Sequence, residues 1–215
     1  AAGLNDRHGC SSLALADLDG DGDLDLYIAN YRTSTIRDEP NLRLSIKSVD
    51  GQPRVVAVNG RPLTQPDLTN RFSFSYRPQA GGGASVCHDE LGEADAVYLN
   101  QGDGRFTPLE FRSAFADEQG VPLAQPPFDW GLTVMLRDLN GDGAPDIYVC
   151  NDFTTPDRIW INNGVGRFHA LPVTAIRQTS LSTMSLDVSD INRDGFDDIF
   201  TADMLSRSHW RRLVQ

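Results

Sequence analysis

The chain has 215 residues, a length that fits one all-β domain or one and a half average domains. Its formal net charge of −11 argues against binding nucleic acid, because phosphate contacts need clustered Lys and Arg. No apolar run approaches the ~18 residues of a membrane helix, and a hydrophobic share of 40% is enough for a packed core.

Of the thirty acidic residues only Glu39, Glu90, Glu93, Glu110 and Glu118 are Glu, which leaves 25 Asp beside 19 Gly. That bias points to turns and metal loops rather than to ordinary surface charge. Three cysteines, Cys10, Cys87 and Cys150, match no zinc spacing. An oxidising compartment would allow one disulfide and leave one thiol over. Cys150 lies in an apolar strand and reads as a buried small hydrophobe. The chain opens in mid-pattern at Ala1 with no start methionine or signal peptide, which reads as a mature segment or a fragment.

In chain order, the first feature is the loop Asp17-Leu-Asp-Gly-Asp-Gly-Asp-Leu-Asp25, followed by the apolar run Leu26–Asn30. A segment from Tyr31 to Ala94 then interrupts the pattern. Within it, Leu42–Ile46 and Val55–Val58 flank Asp50-Gly51 as a hairpin, and Arg71–Tyr76 alternates as a strand. Gly81-Gly82-Gly83 reads as a flexible loop. Asp95–Phe106 is a strand, a Gly-containing turn and the start of another strand. Residues 113–127 hold Pro122, Pro126 and Pro127 and no period, so a loop is expected. The Asp loop returns at Asp138–Asp146, followed by Ile147–Asn151, and the second hairpin returns at Asp157–Phe168. A third loop, Asp190–Asp198, leads into Ile199–Asp203. Met204–Gln215 is either a short basic helix or a connector.

One unit is thus strand, Asp loop, strand, strand, turn, strand. Four antiparallel strands per unit is the plan of a propeller blade. Asp138 and Asp190 are 52 residues apart, near one blade length. Asp17 and Asp138 are 121 apart, so the first blade carries an insertion. The expected fold is an all-β partial β-propeller of about two and a half blades in a single segment. Blade one spans 8–112 with a β-rich insertion at 31–94, blade two 128–172, a partial blade three 180–205, and 206–215 is a connector.

The loops have the oxygen chemistry of a calcium site, which takes about six to eight ligands. The first offers Asp17, Asp19, Asp21, the Asp23 carbonyl and Asp25. The second offers Asp138, Asn140, Asp142, the Ala144 carbonyl and Asp146. The third offers Asp190, Asn192, Asp194, the Phe196 carbonyl and Asp198. About three structural Ca²⁺ ions are expected, the first loop binding tightest because it has most carboxylates. An EF-hand needs a bidentate acid at loop position 12; here that position holds Ile28, Val149 or Thr201, and the closing acid is at position 9.

These loops and their trailing strands resemble FG-GAP/VCBS repeats, as found in integrin α-subunit propellers. Trp130–Asp138 and Asp190–Met204 carry a nearer resemblance to bacterial secreted proteins similar to cartilage acidic protein. The resemblance implies a seven-bladed propeller, export to the cell surface, periplasm or medium, and a role in adhesion or recognition. The remaining blades are then missing from this chain.

No nucleophile or phosphate-loop motif is present, and His8, His88, His169 and His209 are scattered. Asp129-Trp130 and Asn151-Asp152 either line a ligand surface or serve as a turn acid and a core aromatic. His88-Asp89-Glu90 is a weaker metal candidate. Two readings follow. One is a non-enzymatic calcium-stabilised scaffold for recognising protein or glycan, not membrane-spanning. The other is a polysaccharide lyase or hydrolase on the same scaffold.

Overall fold

A computed structural model describes residues 2–39, 41–50, 52–78, 84–152, 155–172, 174–176, 180 and 182–204. The Gly81–Gly83 loop, Gly51 of the predicted hairpin and the segment after Met204 lie outside the described residues. The chain divides into two compact units, one of residues 1–31 and 93–215 and one of residues 32–92.

In the larger unit, β1 (Cys10–Ala16) and β2 (Asp25–Asn30) flank the first Asp loop and pair antiparallel. In residues 32–92, β3 (Leu44–Val49), β4 (Gln52–Val58) and β5 (Arg61–Pro62) make one small sheet. There, Asp50 takes the left-handed turn conformation at φ +51°. A four-residue helix, α1 (Pro66–Thr69), leads to the hairpin of β6 (Phe72–Pro78) and β7 (Ala84–Glu90). Val58, Leu68 and Phe72 form the core of this unit. Arg71 joins Glu39 and Glu90 at 2.7 and 2.8 Å. Glu90 also accepts the Ile36 N–H, so the His88-Asp89-Glu90 run contributes a structural carboxylate to an ion-pair network.

Back in the larger unit, β8 (Ala96–Asn100) and β9 (Phe106–Pro108) complete the first sheet in the order β1-β2-β8-β9. A short helix, α2 (Phe111–Ala114), runs into β10 (Phe115–Ala116). The second sheet adds β11 (Gly131–Arg137), β12 (Asp146–Asn151), β13 (Arg158–Asn162) and β14 (Phe168–Ala170), in the order β10-β14-β13-β12-β11. The third sheet is the pair β15 (Thr183–Ser189) and β16 (Asp198–Asp203). The described sheets do not close into a ring. Their first strands β1, β11 and β15 pack side by side, as the inner strands of successive propeller blades do.

Residues 113–127 depart from the expected loop. Phe115 and Ala116 add to β14 as a parallel fifth strand. The cause is aromatic burial: Phe115 stacks on Phe111 and Phe168 at 4.2 and 4.7 Å between ring centres and meets Trp160 edge-on at 5.0 Å.

The core sits between the blades, which explains the unbroken apolar runs after each loop. All six residues of β2 and all six of β12 are buried, because both faces of these strands are covered. Tyr27 and Ala29 face blade two and meet Ile147 and Val149. Tyr148 and Cys150 face blade three and meet Leu186 and Val188. Cys150 is fully buried, and burial pushes its thiol well up; all three cysteines are free. Each inner strand carries a β-bulge at the same repeat position, at Ser11, Leu132 and Met184. Ala14 and Ala16 of β1 pack toward blade two, so alternation turns Leu13 and Leu15 outward, where they are exposed. Phe200 on β16 is exposed at the opposite end of the stack.

Candidate metal loops and the carboxylates behind them

Three loops of different sequence fold alike. Position 1 is the organiser. Asp17 accepts the N–H groups of Gly20, Asp21 and Gly22 at 2.8, 3.1 and 2.9 Å. Asp138 accepts those of Gly141, Asp142 and Gly143 at 2.7, 3.1 and 2.8 Å. Asp190 accepts those of Asp194 and Gly195. The Gly143 N–H, ahead of the others, holds the Asp138 carboxyl below its ordinary value. Position 5 caps the turn, Asp21, Asp142 and Asp194 each accepting the N–H two residues on at 2.9 Å.

The turn requires a left-handed residue at position 4. Gly20 and Gly141 supply it at φ +81° and +78°, but the third loop puts Arg193 there at +63°. The surroundings of the two glycines differ. A Cβ on Gly141 would meet nothing within 4 Å, whereas one on Gly20 would fall 2.9 Å from the Gly164 carbonyl oxygen. Gly141→Ala is therefore expected to cost about 1 kcal/mol from backbone conformation alone, and Gly20→Ala distinctly more. Denaturant midpoints of the two variants check the difference.

Gly164 belongs to the β13–β14 turn of blade two, and loop one is docked onto that turn. Leu18 is fully buried, and its carbonyl accepts the Gly166 N–H at 3.1 Å and the Asn162 amide at 2.9 Å. Loop one is thus a joint between blades as well as a connection within one.

The structure brings the Asp17, Asp19 and Asp21 carboxylate oxygens within 4.8 Å of one another. Two oxygens sharing a Ca²⁺ at ~2.4 Å each can lie at most ~4.8 Å apart, so this donor set fits the ion. Burial, then the charges of Asp21 and Asp17, raises the Asp19 carboxyl. In the second and third loops the position-3 amide bonds its neighbour instead, Asn140 to Asp142 at 2.9 Å and Asn192 to Asp194 at 3.0 Å.

Position 9 stands apart from that cluster. Asp25 and Asp146 are fully buried. Asp25 accepts the Leu18 and Asn100 N–H groups, both at 2.8 Å, and Asp146 those of Leu139 and Asn162 at 2.9 and 2.8 Å. Both ties run from the loop to the third strand of the same blade. Burial raises both carboxyls against these bonds. Asp198 keeps the loop half of the pattern, accepting the Ile191 N–H at 3.1 Å.

A second pair of carboxylates, whose role the residue pattern did not show, heads the third strands. Asp95 accepts the Tyr27 hydroxyl at 2.6 Å and the Asn30 N–H at 2.8 Å. Asp157 accepts the Tyr148 hydroxyl at 3.0 Å, the Asn151 N–H at 2.9 Å and the Thr183 hydroxyl of blade three at 2.8 Å. For Asp95 the place of Thr183 is taken by Gly131 of blade two, so Asp95 lacks that third donor. Burial pushes the Asp95 carboxyl up to about 7. Its unfolded value is ~3.9, so between these values the folded chain holds the extra proton and stability falls as pH rises. Asp95→Asn stays neutral and can donate to the Tyr27 oxygen while accepting from Asn30. Its melting temperature is expected to gain on the wild type as pH rises from about 4 to 7 and the gain to level off above that. A flat difference across that window would contradict it.

The other candidates are structural. Asp129 pairs with Arg158 at 2.7 Å, and Trp130 is buried edge-on to Tyr31 at 4.8 Å. Asn151 and Asp152 are buried at the end of β12. No helix among the described residues is long and apolar enough to cross a membrane.

Residues 11–36 match the model of the FG-GAP repeat, and residues 138–201 that of the FG-GAP-like repeat. No curated protein matches the chain. Among solved structures, a lectin of Agrocybe aegerita, described for its specific recognition of non-reducing terminal N-acetylglucosamine, aligns at 22% identity and a TM-score of 0.31. The alignment covers 87% of this chain and 45% of that one, so the chain spans under half the length of the structure it matches. The matched stretches contain all three Asp loops, the strands after the first two and the start of the strand after the third. The chain carries FG-GAP repeats of the propeller type at residues 11–36 and 138–201.

Proposed function

We propose that the segment is a calcium-stabilised propeller scaffold for extracellular recognition of protein or glycan. Three Ca²⁺ ions, one per Asp loop, serve structure rather than chemistry. The observation that carries this reading is the convergence of the Asp17, Asp19 and Asp21 oxygens in a loop that is also wedged against the next blade. Without a cation those carboxylates repel one another, and binding one removes the repulsion. An ion there stiffens the joint between blades as well as a surface turn. Further blades of a longer protein would cover the exposed Leu13–Leu15 face and Phe200.

A glycan array and a polysaccharide cleavage assay, each with calcium and with EDTA, test the reading. Calcium-dependent retention of ligand with no new reducing ends or unsaturated products is expected. Turnover of any polysaccharide would overturn it in favour of a lyase or hydrolase.

A further inference from the structure

Two grooves lie at the same place in successive blades. The first, of about 480 Å³, is lined by Asp95, Tyr98, Pro108 and Leu109. The second, of about 280 Å³, is lined by Asp157, Trp160, Ala170 and Leu171. Each residue of the second set stands 62 positions after its counterpart in the first, so the strand half of one groove repeats that of the other. The larger falls in the lower part of the small-molecule range of ~300–1,000 Å³ and the smaller just below it.

Both are walled by the segment that β-propeller repetition does not require. Glu110, Arg112 and Gln125 close the first groove, and Asp117, Glu118 and Gln119 the second. The aromatic stack of Phe111, Phe115, Phe168 and Trp160 fixes this shared wall between them. The head carboxylates are equally fixed, Asp95 by Tyr27 and Asn30 and Asp157 by Tyr148, Asn151 and Thr183. Each groove also holds one anchored guanidinium. Arg112 donates to the Ala124 carbonyl at 2.9 and 3.1 Å, and Arg158 is held by Asp129 and lies over Trp160 at 5.4 Å.

The chemistry selects the ligand class. Each groove sets acceptors (carboxylates) against donors (a guanidinium and a glutamine amide) beside a small apolar patch. An anion would meet the carboxylates and a cation the guanidinium. A hydroxyl both donates and accepts, so it suits both kinds of partner. A pyranose offers hydroxyls around its edge and C–H groups on its face. We propose that each groove binds one neutral sugar residue, giving two glycan sites spaced by one blade. This deepens the glycan branch of the recognition reading above and rests on it.

The test is calorimetric titration of the calcium-loaded chain with a panel of methyl glycosides of neutral hexoses and N-acetylhexosamines. Saturable binding of two sugars per chain in the millimolar range is expected for at least one of them. Gln125→Trp fills the first groove and Gln119→Trp the second, both from exposed positions. Each single variant should lower the stoichiometry to one, and the pair should weaken binding more than tenfold. Circular dichroism melts of both variants check that the fold is kept. Binding that the double variant leaves unchanged, or no saturable binding by any sugar of the panel, overturns the proposal. Calcium-dependent melting is read on the same sample, so the grooves can fail while the calcium scaffold stands.

Discussion

Stripping calcium from this chain with EDTA is expected to lower its melting temperature by about 5–10 °C for each loop that had been saturated, and added calcium should restore it. An ion bound only by the folded state stabilises by mass action, ~2.7 kcal/mol at a hundredfold excess over Kd. In a chain of this size 1 kcal/mol moves the melting point by ~2–4 °C. The loops should not respond equally. Loop one brings three carboxylates together and is docked on blade two through Leu18. In loops two and three the position-3 carboxylate is replaced by a neutral amide, Asn140 or Asn192, whose N–H groups donate to Asp142 and Asp194. The third loop also carries Arg193 in a left-handed conformation and lies on the least covered sheet. Loop one should therefore hold calcium most tightly. Magnesium at equal concentration should restore less, because it demands a rigid octahedron and sheds water reluctantly.

Phe115→Ala is expected to be the most damaging single core change, costing about 3–5 kcal/mol. The ring is 2% exposed and touches three other aromatic rings. Truncation leaves a cavity that a stack of rigid rings cannot close. It also releases the two-residue strand β10 from β14, so the 110–126 segment loses its anchor. Phe115→Leu keeps much of the volume and should cost less than half as much. If residues 113–127 were only a surface loop, Phe115→Ala would fall within ~0.5 kcal/mol of the wild type. Urea unfolding midpoints separate the two outcomes.

The loops were legible in the residues because their acidic and amide positions sit close in sequence at fixed spacing, and a tight turn leaves few ways to arrange them. The strands after them were legible because a strand covered on both faces must be apolar throughout, as Leu26–Ala29 and Ile147–Cys150 are. The fifth strand of blade two was not, since two residues in parallel pairing leave no period. Only Phe111 and Phe115, one helical turn apart, hinted that the Pro-rich segment was anchored. The bulges at Ser11, Leu132 and Met184 were hidden because three unlike side chains fill one backbone role. Asp95 and Asp157 were visible as repeat positions, but their work depends on partners elsewhere. Tyr27 lies 68 residues before Asp95, across the whole insertion. The position-9 acids reveal a similar limit. Spacing marks Asp25 and Asp146 as ligands, while the fold also gives each the task of tying its loop to the blade's third strand.

Calcium stoichiometry measured by titrating the EDTA-stripped, dialysed chain bears most directly on whether these loops are metal sites. Three ions per chain are expected, falling to two in Asp21→Ala with the tightest site lost. A chain that takes up no calcium at millimolar concentration, or that keeps all its sites in Asp21→Ala, would contradict the calcium scaffold.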